Sequence, residues 1–217
     1  MTRELAAVLW DMDGTLVDSE PAWIAAQYAL VERSGGVWSE ADALALVGST
    51  LEQTAVALRA AGVALDDGAI EDALEGDVEA ALGAGIAWRP GARELLRSVA
   101  AAGIPQAIVT TSSRRLASIV AAALAGDVTF AVVVTGDDVT RGKPDPEPYL
   151  LAARLLGVAI EDCAAVEDSP TGLAAAVASG AAAVGVPHQV ALAEGADRVL
   201  WPTLAARTVE DLRALLR

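Results

Sequence analysis

The sequence predicts an α/β fold: a Rossmann-like doubly wound parallel sheet with helices on both faces and an inserted α-helical cap domain. Three observations carry this expectation. From Arg89 onward, segments of helical and strand period alternate. Several of the strand segments are near-continuous apolar runs, as in a parallel sheet buried on both faces. Between Ser19 and about Gly83 the alternation stops, and helical patterns follow one another without a strand. Right-handed crossovers then give a doubly wound sandwich. Residues 1–15 and 86–217 are expected as the core and residues 16–85 as the cap.

In chain order, Leu5 to Leu9 is an apolar run that predicts a buried strand, followed by Trp10-Asp11-Met12-Asp13-Gly14-Thr15. Ser19-Glu20-Pro21 starts a helix with Ser19 as cap and Trp23, Ala26, Leu30 and Val31 as its apolar stripe; Gly35-Gly36 ends it. Ser39 to Asp42 opens a second helix that Gly48 closes, a third spans Leu51 to Ala61, and Asp66-Asp67 introduce a fourth running through Leu82. Gly83-Ala84-Gly85 suggests a hinge back to the core, and the cap is expected to move on segments near Thr15 to Asp18 and Gly83 to Trp88. The core continues as helix 92–102, strand 106–110, helix 114–124, strand 130–134, helix 146–156, strand 164–166, helix 170–179, strand 181–186 and helix 208–216.

Composition narrows the function. Apolar residues make up 54% of the chain and aromatic ones only 4%, so the core must be built from Ala, Val and Leu. Thirty acidic against fifteen basic side chains give a net charge of -15, which opposes nucleic acid or anionic membrane as a partner. The Ala-rich stretch from Gly172 to Val186 is broken by Gly180 and Gly185 and predicts no membrane span. A single cysteine, Cys163, excludes an intramolecular disulfide and is expected as buried filler in a reducing compartment. Met1 to Glu4 leads straight into a strand without an apolar leader, so a cytoplasmic location is expected.

Polar side chains stand where four strands end. Asp11 and Asp13 lie two apart after the first strand, with Gly14 allowing the chain to turn away. Thr110-Thr111-Ser112-Ser113 offers hydroxyls and N–H groups at a helix start, an anion cradle that helix capping alone would only partly explain. Gly142-Lys143-Pro144 fixes a lysine in a stiff loop, and Glu167-Asp168-Ser169-Pro170 brings two more acids, with Ser169 as cap. Four carboxylates at one sheet edge repel unless a cation sits between them, and oxygen ligands select a hard metal such as Mg²⁺. Metal and lysine together neutralise a phosphate, and the hydroxyls supply hydrogen bonds, which are the parts phosphoryl transfer requires.

In this order the motifs resemble the haloacid dehalogenase superfamily, and the insert after the first motif resembles its subgroup with a small helical cap, which includes β-phosphoglucomutase and many sugar-phosphate phosphatases. The resemblance implies that Asp11 is the nucleophile and Asp13 the acid and base, with the Asp13 carbonyl on Mg²⁺. It implies that Thr110 and the Thr111 N–H hold phosphate, that Lys143 steadies the transferring group, and that Asp168 completes the metal shell with Glu167 direct or through water. Asp137 and Asp138 receive no role. The histidine and arginine that support the mutase cycle are replaced by Trp23 and Leu51, and the only histidine, His188, is expected in a surface loop. Asp13 disfavours carbon–halogen hydrolysis. The expected function is Mg²⁺-dependent hydrolysis of a small phosphorylated metabolite by a monomer or weak homo-oligomer. The alternatives are a phosphosugar mutase, a receiver-like phosphoacceptor module, and a silent binding protein on the same fold. Trp23, Glu20 and the Gly48-Ser49-Thr50 turn are candidates for reading the substrate.

Overall fold

The structure is a computed structural model that describes residues 3–46 and 49–216. The chain divides into two compact units, Met1–Asp18 with Ala87–Arg217, and Ser19–Ile86. The first boundary falls at Ser19 rather than at residue 16 because Leu16 and Val17 are fully buried. Both of their N–H groups bond to Met12 O, and Val17 bridges to Asp13 and Trp88. Asp18 N–H also donates to Ala87 O at 2.7 Å, tying the outgoing and returning segments together.

The larger unit holds a six-stranded, wholly parallel sheet. Its strands are β1 (Ala7–Trp10), β2 (Gln106–Val109), β3 (Val132–Val134), β4 (Cys163–Glu167), β5 (Ala182–Gly185) and β6 (Arg198–Leu200), in the spatial order β3-β2-β1-β4-β5-β6. The chain therefore winds outward from β1 in one direction and then from β4 in the other. The crevice beyond the C-terminal ends of β1 and β4 is the switch point where such sheets bind ligands.

Side-chain alternation gives the sheet two apolar faces. Ala7, Leu9, Ala107, Val109, Cys163 and Ala165 pack under α7 (Glu147–Leu156) and α8 (Pro170–Ser179). On the other face, Trp10 Nε1 donates to Gln106 Oε1 at 2.9 Å, and Gln106 Nε2 donates to the Leu96 carbonyl of α5 (Ala92–Ala101) at 3.1 Å. Both polar atoms of the one polar side chain at the start of β2 are thus bonded, which is what its burial requires. The remaining core helices are α6 (Arg114–Ala122) and α9 (Val209–Ala214), the latter packing on α5.

The smaller unit is helical: α1 (Glu20–Arg33), α2 (Glu40–Ala45), α3 (Leu51–Ala60) and α4 (Asp67–Ala84). Ile70, Leu74, Val78 and Leu82 recur along one face of α4 and are buried, while α1 contributes Ala26, Leu30 and Val31. The second and third helices begin with reciprocal capping boxes, Ser39 with Asp42 and Thr50 with Gln53.

Several local expectations need correction. Gly83 and Ala84 are helical, so only Gly85 remains of the expected hinge: a glycine at a helix end is permitted but not forced to break it. Ser19 stands at the N-cap of α1 in helical backbone conformation and makes no side-chain cap bond. Strand β6 is absent from the expectations because three residues with a single β-branched side chain carry no readable period. The Gly48 stop lies outside the described residues.

Candidate active site

The site grows from the ends of β1, β2 and β4. Asp11 is the first residue after β1, and its N–H donates to Val166 O of the neighbouring strand at 3.0 Å. Glu167 is the last residue of β4, completely buried, and Asp168 follows it. Carboxylate oxygens of Asp11, Glu167 and Asp168 lie within 4.8 Å of one another. Three of the four expected acids therefore share one place. The fourth, Asp13, turns to the β2 end, where Ser112 Oγ donates to its Oδ2 at 2.7 Å and Thr110 Oγ1 at 3.4 Å.

Two glycines create the room. Gly14 has φ +82°, and a Cβ there would stand 2.0 Å from Asp168 Oδ2. A Cβ on Gly172, in the first turn of α8, would meet Glu167 Oε2 at 2.0 Å. The Glu167 carboxylate thus occupies the volume a side chain would fill at a helix N-terminus, where the helix dipole favours negative charge. Ser169 caps that helix through the Gly172 N–H at 3.1 Å, as the sequence predicts.

Lys143 joins the acids. Its side chain is 4% exposed, and Nζ donates to Asp11 Oδ1 at 2.7 Å and to Val109 O at 2.8 Å and forms an ion pair with Glu167 Oε1 at 2.6 Å. Two of the three ammonium protons are thus bonded, and Glu167 pairs with the same charge. Burial works against its charge, but Asp11 and Glu167 outweigh burial and hold it protonated well above the ordinary lysine range. The acids respond in the opposite sense. Burial first, then the Asp11 charge, pushes Asp168 up to about 8 and Glu167 up to about 7. One ammonium is too little positive charge for three clustered carboxylates.

A cation fits this arrangement. Asp11 Oδ2 is buried with no hydrogen-bond partner, a costly state for a carboxylate oxygen that a metal would relieve. The surrounding donors are all oxygen, which suits Mg²⁺. Thr110 is buried at the end of β2 and its Oγ1 accepts from the Ser112 N–H at 3.1 Å, while Thr111 is exposed in the turn before α6.

Asp137 and Asp138 are structural: Asp137 accepts the Arg114 N–H at 2.9 Å, and Asp138 closes a capping box with Thr135. His188 follows β5 and is not simply a surface residue, since its Nε2 lies 3.0 Å from Asp18 Oδ1. Trp23 and Glu20 lie in α1, and Thr50 is spent on capping α3. Sequence reasoning gave Ser112 no task of its own and missed Tyr149, whose hydroxyl donates to Glu167 Oε1 at 2.5 Å. A signal was available for Lys143: it is the only lysine in a chain with fourteen arginines.

Comparison with known proteins agrees with this geometry. The family model for haloacid dehalogenase-like hydrolases matches residues 5–180. Hexitol phosphatase A of Escherichia coli (strain K12) is 40% identical over 184 residues, covering 82% of this chain and 81% of that protein. Protein CbbY of Rhodobacter capsulatus is 31% identical over 226 residues, covering 98% and 99%. The crystal structure of CbbY from Rhodobacter sphaeroides in complex with xylulose-(1,5)bisphosphate superposes with a TM-score of 0.82 at 30% identity, over 93% of this chain and 96% of that one. A parallel sheet of this order, an acidic cluster with a buried lysine at its switch point, and a family match spanning both identify the chain as a member of the haloacid dehalogenase-like hydrolases.

Proposed function

We propose that this hydrolase is a Mg²⁺-dependent phosphatase that cleaves a small sugar or polyol phosphate through an aspartyl-phosphate on Asp11. The observation that carries the reading is the state of the Asp11 carboxylate. One oxygen is held by Lys143 and the other is buried without a partner beside two further acids. Such a group is fixed in place and poised for a role that hydrogen bonding within the protein does not satisfy.

Asp11, Asp168 and the Asp13 carbonyl would hold the metal, with Glu167 beside them. When bound, Mg²⁺ supplies positive charge to the acids and to the phosphate oxygens. Asp11 attacks phosphorus, the Asp11 oxygen–phosphorus bond forms, and the bond from phosphorus to the ester oxygen breaks. Asp13 gives its proton to the departing alkoxide. Water then attacks the aspartyl-phosphate, Asp13 takes the water's proton, and Asp11 is released together with inorganic phosphate. Thr110, the Thr111 N–H and Lys143 would bind the phosphoryl oxygens, Lys143 by exchanging one of its contacts within the protein for the phosphate.

The names of the relatives support the substrate class: one is a hexitol phosphatase and another binds xylulose-(1,5)bisphosphate. The test is release of inorganic phosphate from a panel of hexitol phosphates, pentulose bisphosphates and other phosphorylated metabolites, with and without a bisphosphorylated sugar. Release without the bisphosphate supports hydrolysis. Movement of the phosphoryl group only between sugar hydroxyls supports a mutase instead.

A further inference from the structure

Tyr149 is fully buried on α7, one of two tyrosines in the chain, and has no task in the transfer steps above. Its hydroxyl reaches Glu167 Oε1 at 2.5 Å, the same oxygen that Lys143 Nζ reaches at 2.6 Å. The ammonium also stands 5.3 Å from the centre of the Tyr149 ring, within the range of a cation–π contact. A phenylalanine would pack between α7 and the sheet equally well, and a buried hydroxyl costs stability unless it is bonded. The hydroxyl is therefore explained by its acceptor and not by packing.

We propose that Tyr149 is a positioning residue for Lys143, acting through Glu167. Lys143 Nζ is hydrogen-bonded to Asp11 and Val109 and ion-paired with Glu167, so Lys143 reaches a phosphoryl oxygen only by loosening one of these contacts. Glu167 is the partner it can release at least cost, because Tyr149 still bonds the same oxygen and keeps the carboxylate from following. The ring face meanwhile limits how far the ammonium moves. Tyr149 thus sets the rest position of the lysine and preserves it through turnover. The kinetic part of this inference rests on the phosphatase reading; the structural part does not.

The single lysine makes a direct test available. In metal-free protein labelled with ¹⁵N-lysine, one side-chain ammonium resonance is expected, slowly exchanging in the unsubstituted chain. In Tyr149→Phe its proton exchange should accelerate about tenfold, and kcat on a phosphomonoester should fall about tenfold with KM and thermal midpoint nearly unchanged. Ammonium exchange or kcat remaining at the parent value in a folded Tyr149→Phe protein overturns the proposal. If the parent protein releases no phosphate from any substrate, the phosphatase reading fails and the ammonium exchange alone decides. If Tyr149→Phe does not fold, 3-fluorotyrosine incorporation replaces it, with Tyr28→Phe assigning the signal. The Tyr149 ¹⁹F resonance must then shift in Glu167→Gln, and an unmoved resonance overturns the proposal.

Discussion

Lys143 and Asp11 are 132 residues apart in the chain, and Lys143 Nζ lies 2.7 Å from Asp11 Oδ1 with both side chains almost completely buried. The strand order brings them together: β1 leads into Asp11 next to β2, whose last residue, Val109, offers its carbonyl to the same ammonium. A buried pair of this kind is retained at a cost in desolvation, which points to chemistry more than to stability.

Removing one partner should therefore damage both properties. Lys143→Ala leaves Asp11 and Glu167 facing each other without a cation, and we expect a loss of about 3–5 kcal/mol in stability by urea denaturation without metal. Lys143→Arg should not restore turnover, because a planar guanidinium cannot meet three acceptors arranged around a point charge. Phosphate release by Lys143→Arg near the parent rate contradicts the role given to the ammonium.

Chelation should abolish hydrolysis of an aryl phosphate, and added Mg²⁺ should restore it. Asp168→Asn should weaken Mg²⁺ binding in calorimetry while the chain stays folded, since it removes one of three clustered like charges. Full activity in excess chelator, or an unfolded Asp168→Asn protein, would show that these acids are structural.

Ser112→Ala should reveal the hydroxyl that orients Asp13. A hydrogen bond contributes about 0.5–1.5 kcal/mol, so kcat on an alkyl phosphate should drop by roughly two- to tenfold. The loss on p-nitrophenyl phosphate should be smaller, because its leaving group needs little protonation. Equal losses on both substrates would assign Ser112 to phosphate binding.

Cys163 gives a pH prediction away from the site. Burial, then the nearby Asp162 and Glu161 charges, pushes its thiol up to about 12. A raised acid contributes stability that is complete below its unfolded value and disappears as pH rises toward the folded one. Here the loss should run from about pH 9 to about pH 12. Cys163→Ala should remove that part of the alkaline decline in denaturation curves. Native protein at pH 8 should not react with a disulfide reagent, whereas denatured protein should release one thiol.

How much of this was legible follows from where each signal lies. Apolar runs such as Cys163–Val166 announce strands locally, and the polar residues ending them announce the site. Tyr149 reads as an ordinary core residue of an apolar helix face, because its hydroxyl partner arrives from another strand. Ser112 looks like one of four similar hydroxyls until the β1–β2 pairing brings it to Asp13. Strand β6 is held by its pairing to β5 and has too few side chains to state a period.

The central claim is a covalent phosphoryl group on Asp11, and the variant that exposes it is Asp13→Asn. With p-nitrophenyl phosphate, attack needs little acid assistance, whereas hydrolysis of the intermediate loses its base and should slow by about a hundredfold or more. Intact-protein mass spectrometry after acid quench should then show one phosphoryl adduct that hydroxylamine removes and that Asp11→Asn abolishes. An Asp13→Asn protein that turns over at the parent rate and accumulates no adduct would contradict the mechanism.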